Sequence, residues 1–293
     1  MSIDIRPIHP VIGGEVAGMD IRKPLSPKDV AAIDAGMDRY GVLVFHDQFI
    51  TDEEQLAFSA HFGPLQLGSN SIFKPEELRL NPAFADVSNL DKDNQKLARD
   101  DRRRMFALAN QLWHSDASFR AIPAKYSILS GRVVPPSGGN TEFADMRAAY
   151  DALDAATKTE VEDLICEHSL MHSRALLGFT EYTADELIKY APVRQRLVRT
   201  LPSTGRKSLF LAAHIGSIVG WPKPEAMAFI RDLMEHATQR QFVYSHAWRA
   251  GDLVIWDNRQ TMHRVRRFDD LTHIRDMRRT TVMGTEPTVA QAA

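Results

Sequence analysis

The chain has 293 residues, with 36 Lys and Arg against 38 Asp and Glu, and so a formal net charge of −2. This balance excludes a general nucleic-acid binder, which needs surplus cationic side chains for phosphate contacts, and a hydrophobic fraction of 44% excludes a disordered chain. The single cysteine, Cys166, cannot form an internal disulfide, which is typical of a reducing compartment. We therefore expect a cytoplasmic globular protein with no nucleic-acid or membrane partner.

The first elements carry clear helix-start signals. Ser26 is followed by a proline and, at Asp29, by an acid in the first turn, which predicts a helix that ends at Gly41. The four apolar residues Val42–Phe45 then predict a buried strand. Thr51 opens a capping box, Thr-Asp-Glu-Glu, and predicts a second short helix.

The segment Asp91–Arg104 contains ten charged residues in fourteen. A solvated loop or frayed helix is one interpretation of such a run. A mobile lid beside an active site is the other, because long loops in compact domains often carry function. The sequence alone leaves both open.

The remainder of the chain alternates helix and strand patterns. A strand is predicted at Ser127–Val134 and another at Thr141–Phe143, with helices at Met146–Ala152, Ala155–Cys166, Ala184–Tyr190 and Pro224–Ala237. Short β-type runs follow at Phe242–Trp248, Leu253–Asp257, Thr261–Arg267 and Arg275–Met283. Such spacing predicts an antiparallel sandwich or barrel decorated with helices, mainly β with helical insertions, forming one domain over residues 1–293.

Two segments carry residues that could bind a metal. His114 and Asp116 are two positions apart and would share one face of a strand, as two members of a 2-His-1-carboxylate facial triad for ferrous iron. His-x-Asp alone is weak, because about one chance occurrence is expected in a chain with this many histidines. His263, with arginines after it, is the candidate third ligand.

The arginines admit two interpretations. If a hairpin were centred on Asp269, Arg275 would lie across the strand pair from His263, and Arg279 would face the same way as Arg275. Two inward-facing guanidinium groups would suit two carboxylates. Because other arginines crowd the same region, a solvated cationic edge is an equal alternative on this reasoning.

Five segments together resemble the taurine / 2,4-dichlorophenoxyacetate dioxygenase family of Fe(II)- and 2-oxoglutarate-dependent enzymes. They are NQLWHSDASF, VVPPSGGNTEFADMRAAYDAL, EHATQ, GDLVIWDNRQTMHR and RDMRRTT, in the family's order, within a likeness that runs from about Ile5 to Gly284. The chain is most similar to the aryloxyacetate branch. The resemblance implies a double-stranded β-helix (jelly-roll) core, Fe(II) as cofactor, 2-oxoglutarate and O2 as cosubstrates, and a homo-oligomer.

The resemblance also implies the role of each site residue. The iron ligands would be His114, Asp116 and His263, and the cosubstrate would be held by Thr141, Arg275 and Trp256. The substrate side would carry Asn110, Arg279, Ser118 and His214. His214 is also compatible with a core histidine, and only one serine, Ser118, stands where close relatives carry two.

The implied reaction is hydroxylation of the carbon next to the ether oxygen of an aryloxyalkanoate, which releases a phenol and glyoxylate together with succinate and CO2. The alternatives are a taurine, alkylsulfonate or other small-acid hydroxylase of the same family, and a non-catalytic jelly-roll protein that binds a small acid. The segment Leu67–Phe73 disfavours taurine, because it lacks the histidine and tyrosine expected of sulfonate users.

Overall fold

The computed structural model describes residues 3–67 and 78–291. The helices in these ranges are α1 (Pro27–Tyr40), α2 (Asp52–Ala60), α3 (Arg102–Ala107), α4 (Met146–Asp151), α5 (Ala155–Val161), α6 (Leu170–Ala175), α7 (Ala184–Lys189) and α8 (Lys223–Ala237). Short 3-10 turns lie at Leu108–Gln111, Arg240–Phe242 and Thr288–Ala290. None of the helices described is long and apolar enough to cross a membrane.

The strands are β1 (Asp4–Pro7), β2 (Gly14–Ala17), β3 (Val42–Phe45), β4 (Ala85–Asp86), β5 (Ala124–Val133), β6 (Thr141–Asp145), β7 (Ile165–His168), β8 (Val193–Arg196), β9 (Val198–Thr200), β10 (Lys207–Leu209), β11 (Ile215–Ile218), β12 (Val243–His246), β13 (Leu253–Asp257), β14 (Thr261–Val265) and β15 (Asp276–Met283). A seven-stranded sheet has the order β1-β2-β3-β13-β5-β15-β4, and a three-stranded sheet has the order β12-β6-β14. All of these pairs are antiparallel except β2–β3.

The two sheets face each other through alternating apolar side chains. On β13, Val254 and Trp256 point to the same core as Phe143 of β6, whose ring centroid lies 5.5 Å from that of Trp256. Their neighbours Leu253 and Ile255 point to the other face and pack with residues of α1 and α2. This period of two, with helices outside the large sheet, builds the predicted jelly roll with helical insertions.

Local signals in the sequence account for the first helices. Ser26 and Thr51 both form capping boxes, in which the side chain accepts the backbone N–H three residues on. Gly41 ends α1 with φ of +69°, a conformation that glycine adopts without steric cost. The predicted strand Val42–Phe45 is β3.

The helical predictions fail in one place. The helix expected over Ala155–Cys166 ends at Val161, and Cys166 is a buried residue of β7. β-branched and small apolar residues fit either state, and pairing with β8 and β11 selects the strand here. The segment Leu67–Phe73 lies, after its first residue, outside the described residues.

Candidate active site

Three predicted metal ligands meet between the two sheets. His114, Asp116 and His263 are all buried, and each offers a ligand atom within 4.8 Å of the others. Nε2 of His114 lies 3.9 Å from one Asp116 carboxylate oxygen, and Nε2 of His263 lies 3.6 Å from the other. The three donors therefore converge on one point, which is the arrangement that a facial triad requires.

The backbone that holds His114 is not the strand that the His-x-Asp spacing suggested. His114 makes a single isolated β-bridge with His263, with reciprocal backbone hydrogen bonds of 3.0 and 2.8 Å. The chain then turns through Ala117, whose φ of +55° lies in the left-handed region. The bridge fixes the spacing of the two histidines, whose ring centroids are 4.2 Å apart.

The protonation states suit metal binding. Burial is the main cause that lowers the pKa of His114 and of His263, so both imidazoles are neutral at pH 7. Nδ1 of His114 donates to the Leu112 carbonyl at 2.8 Å, which leaves Nε2 with its lone pair toward Asp116. Burial acts to raise the pKa of the Asp116 carboxyl, but the charge of Arg279 is the largest opposing cause, and that pKa lies below its usual range.

A hydrogen-bond network fixes the carboxylate. Ser127 Oγ donates to Asp116 Oδ2 at 2.7 Å, and the Asp116 backbone N–H donates to Asn258 Oδ1 at 3.0 Å. Asn258 also donates from Nδ2 to Ser127 Oγ and accepts from Trp256 Nε1, at 3.0 and 3.1 Å. Asn258 follows Trp256 by two in the predicted site segment, but residue-by-residue reasoning gave it no role.

A smaller cavity opens beside the triad and brings together all three residues predicted to bind the cosubstrate. Thr141, Trp256 and Arg275 line it with His114 and His263. Arg275 is buried, its Nη1 donates to the Val87 carbonyl at 3.2 Å, and its Nε has no partner among the described residues. Burial alone lowers the pKa of Arg275 to about 10, so a charged guanidinium that has no acidic partner among the described residues faces this cavity.

The hairpin that placed Arg275 opposite His263 is wrong. His263 lies on β14, which pairs with β6, whereas Arg275 immediately precedes β15, which pairs with β5 and β4 in the other sheet. The two residues approach the cavity from opposite sheets. Arg275 and Arg279 do line the same cavity, so both arginines point inward, as the spacing predicted.

A larger cavity adjoins the triad on its other side. It is lined by Asn110, His214 and Arg279, together with apolar rings such as Phe119. Arg279 Nη1 donates to Asp116 Oδ1, so its charge is already paired. Ser118 is fully buried and lines neither cavity within the described residues, and its assignment as a substrate contact stays a prediction.

Comparison with known proteins decides the family. Residues 4–281 match the family described as "Taurine catabolism dioxygenase TauD, TfdA family". The chain belongs to this family. It is 44% identical over 283 residues to the alpha-ketoglutarate-dependent 2,4-dichlorophenoxyacetate dioxygenase of Cupriavidus pinatubonensis, covering 97% of this chain and 98% of that protein. It is also 36% identical to the (S)-phenoxypropionate/alpha-ketoglutarate-dioxygenase of Sphingobium herbicidovorans, covering 92% and 91%.

A solved structure with the same fold was determined with a metal ion and a 2-oxoglutarate analogue. The crystal structure of AAD-2 in complex with Mn(II) and N-oxalylglycine superposes with a TM-score of 0.92 at 57% identity, covering 99% of this chain and 100% of that one. N-oxalylglycine is an analogue of 2-oxoglutarate. The predicted family, jelly-roll fold and dioxygenase class are therefore confirmed.

Besides Asn258, two residues of the site were not predicted from the sequence. Trp248 donates from Nε1 to Thr141 Oγ1 at 2.9 Å, so the hydroxyl that lines the smaller cavity is itself held. Arg174, on α6, lines the larger cavity. No local pattern marks either residue, because each reaches the site only through the tertiary fold.

Proposed function

We propose that the protein is an Fe(II)- and 2-oxoglutarate-dependent dioxygenase that cleaves an aryloxyalkanoate ether. The observation that carries the proposal is the buried triad of His114, Asp116 and His263 between two cavities, each lined by arginine. The named activities of the family members at 44% and 36% identity support the aryloxy substrate class.

The residues present fit both groups that this activity needs. Two neutral imidazoles and an ionised carboxylate are the donor set of a 2-His-1-carboxylate iron site. The unpartnered Nε of Arg275 calls for an anion in the smaller cavity, and the distal carboxylate of 2-oxoglutarate supplies one. When bound, the iron and 2-oxoglutarate activate O2 to oxidise a substrate C–H bond, with succinate and CO2 as coproducts.

The chain's own side chains then bind, orient and exclude water. Thr141 accepts the indole N–H of Trp248, so its hydroxyl hydrogen is free to be donated to the distal carboxylate of the cosubstrate beside Arg275. Trp256 lines the same cavity and packs 4.7 Å from the His263 ring, which keeps this side of the triad dry. These residues position the cosubstrate without taking part in bond breaking.

The larger cavity orients the substrate. Asn110, Arg279 and His214 supply its polar groups near the triad, and Phe84 and Phe119 supply apolar rings for an aryl group. Hydroxylation of the carbon next to the ether oxygen gives a hemiacetal, which loses the phenol as its C–O bond breaks and leaves glyoxylate. The methylene must therefore face the triad, with the acid group held on one side and the ring on the other.

The test is phenol release from 2,4-dichlorophenoxyacetate by the iron-loaded protein, with 2-oxoglutarate and O2. We expect phenol, glyoxylate and succinate in equal amounts, and no phenol from Asp116→Ala, because the variant lacks one ligand. Sulfite release from taurine, or binding of the acid without any succinate, would instead identify the sulfonate hydroxylase or the non-catalytic binder. Full turnover by Asp116→Ala would refute the metal assignment.

We also propose that the segment Asp91–Arg104 covers the larger cavity. Four of its residues, Asp91, Lys92, Leu97 and Arg103, line that cavity. Lys96 donates to two carbonyls of the β14–β15 connection at 2.8 and 2.9 Å. The segment is therefore anchored to the stretch of chain that leads to Arg275. Protection of this segment from proteolysis by substrate would support the role, whereas equal cleavage with and without substrate would contradict it.

The cytoplasmic location, the single catalytic domain and the homo-oligomer stay predictions.

A further inference from the structure

A second guanidinium lies at the larger cavity beside the triad. Arg174 is only 7% exposed and lines this cavity with Asn110, His214 and Arg279. It lies on the helix α6, within the insertion that follows β7. A charged side chain this deeply buried destabilises the fold unless an anion or strong hydrogen bonds compensate it.

The protein satisfies Arg174 only in part. Its Nη1 donates to Ser173 Oγ at 2.9 Å, its Nη2 reaches Asn110 Oδ1 at 3.4 Å, and its Nε has no partner within the described ranges. Its Cζ lies 4.4 Å from the centroid of the Phe106 ring, a cation–π contact that fixes the plane of the fork. No carboxylate of the described chain forms an ion pair with it, and burial is the main cause that lowers its pKa, to about 10. The group is nevertheless cationic at neutral pH.

Arg79, Arg103 and Arg279 of the same wall are paired with carboxylates, and Arg120 is only partly buried. Arg79 forms ion pairs with Asp86 and Asp276 at 2.8 and 2.6 Å. Arg279 is paired with Asp116. Arg174 is thus the buried arginine of this wall that has no carboxylate partner in the described chain.

The adjacent histidine cannot replace it. Ser173 Oγ donates its hydrogen to the Leu170 carbonyl at 2.8 Å, so His214 Nδ1, 2.9 Å from the same oxygen, must be the donor of their hydrogen bond. The neutral ring then keeps an acceptor at Nε2, which repels a carboxylate. His214 therefore lines the cavity as an acceptor, whereas Arg174 and Arg279 present N–H donors to it.

We propose that Arg174 is a specificity-determining residue that binds the carboxylate of the substrate together with Arg279, and so selects acids over neutral ethers. The proposal rests on the proposed aryloxyalkanoate activity. An acid held between the two guanidinium groups completes the missing hydrogen bonding of Arg174 and leaves the aryl group for the apolar part of the cavity. It also explains why the fold retains a buried cation that no carboxylate of residues 3–67 and 78–291 neutralises.

The test compares an acid with its uncharged isostere, 2,4-dichlorophenoxyacetate against its primary amide, by phenol release. In Arg174→Gln we expect KM for the acid to rise about 10- to 100-fold, the range for one lost charged hydrogen-bonding partner, and KM for the amide to change little. The KM for 2-oxoglutarate stays at the wild-type value, because Arg174 does not line the smaller cavity. Arg174→Lys restores part of the preference for the acid.

Arg199→Gln is the matched control. Arg199 is 6% exposed, lies 4.7 Å over the Phe210 ring and has a pKa that burial lowers to about 10, yet it lines neither cavity within the described chain. We expect Arg199→Gln to lose stability as Arg174→Gln does, because each variant lacks a buried guanidinium. Its ratio of acid to amide turnover should stay at the wild-type value. If wild type and both Arg174 variants share one acid-to-amide ratio while releasing phenol, the inference is wrong. If wild type releases no phenol from any aryloxyacetate, the proposed function fails instead.

If Arg174→Gln does not fold, the ratio measured for Arg174→Lys decides. A lower acid-to-amide ratio than that of wild type supports the role, since an ammonium group lacks the fork. An unchanged ratio in the folded lysine variant overturns it.

Discussion

Asn258 is the residue on which we expect the metal site to depend most without being a ligand. Its side chain is fully buried and connects the Asp116 backbone, the Trp256 indole and the Ser127 hydroxyl. Asn258→Ala removes the acceptor of two buried N–H donors and the donor to Ser127. The carboxylate of Asp116 then loses the support that sets its direction.

The magnitude follows from these contacts. A buried donor left without a partner costs about 1–3 kcal/mol, so two donors predict a loss of about 2–6 kcal/mol in the free energy of unfolding of the metal-free protein. Loss of hydrogen-bonding support around a ligand typically lowers metal affinity about 10- to 100-fold. Ser127→Ala removes one hydrogen bond to Asp116 and leaves one donor of Asn258 unpaired, so its effect should be about half as large.

Urea unfolding of the metal-free protein and calorimetric titration with Mn(II) measure the two effects separately. We expect Asn258→Ala to have a lower free energy of unfolding and a lower affinity for Mn(II) than Ser127→Ala. Both quantities should in turn be lower for Ser127→Ala than for wild type. An Asn258→Ala protein with the stability and Mn(II) affinity of wild type would refute the reasoning, because it would show that the network neither stabilises the core nor orients the ligand.

Three further predictions concern two residues of the cosubstrate side and the buried histidine of β7. Arg275→Gln should raise KM for 2-oxoglutarate about 10- to 100-fold with little change in KM for the aryloxy acid, measured by succinate formation at varied cosubstrate. Trp248→Phe should raise the same KM only about 2- to 10-fold, because Thr141 loses one neutral hydrogen bond, and an effect as large as that of Arg275→Gln would contradict this ranking. Burial lowers the pKa of His168 to about 3, so below pH 6.5 the unfolded chain binds a proton that the folded chain does not, and folding stability falls as the pH falls. Between pH 7 and pH 5 this residue contributes a loss of about 2 kcal/mol, which urea unfolding of His168→Leu should lack. Equal pH slopes for the two proteins would refute the prediction, because they would show that His168 has the same pKa in the folded and unfolded chain.

The parts of the fold that the sequence predicts are those decided by neighbours along the chain. The N-cap predicted at Ser26 and the capping box predicted at Thr51 need only a side chain and the amide three residues on, and both are present. The strand Leu253–Asp257 has its predicted bounds. The helix predicted to run to Cys166 failed because pairing of β7 with strands more than twenty residues away outweighed local preference.

The candidate site also has features that the sequence predicts and features that only the tertiary fold decides. The residues predicted as iron ligands and cosubstrate contacts come from the ordered segments of the family, and the structure brings them together, whereas the hairpin inferred from spacing was wrong. The hairpin centred on Asp269 assumed that a chain reversal joins neighbouring strands. In the structure the connection crosses from the small sheet to the large one, so His263 and Arg275 meet across the core. Crossovers between sheets leave no mark in the residues of the loop itself.

The arginine cluster shows why net charge could not separate a binding residue from a solvated edge. Arg264 donates to Glu142 at 2.7 Å and Arg278 pairs with Asp52, partners 122 and 226 positions away along the chain. Arg275, between them in sequence, is the buried one with no carboxylate in the described chain. Each carries the same formal charge, and only the tertiary pairing decides which is neutralised. A net charge of −2 is therefore compatible with an uncompensated cation at the smaller cavity, because the acids that balance the total lie elsewhere.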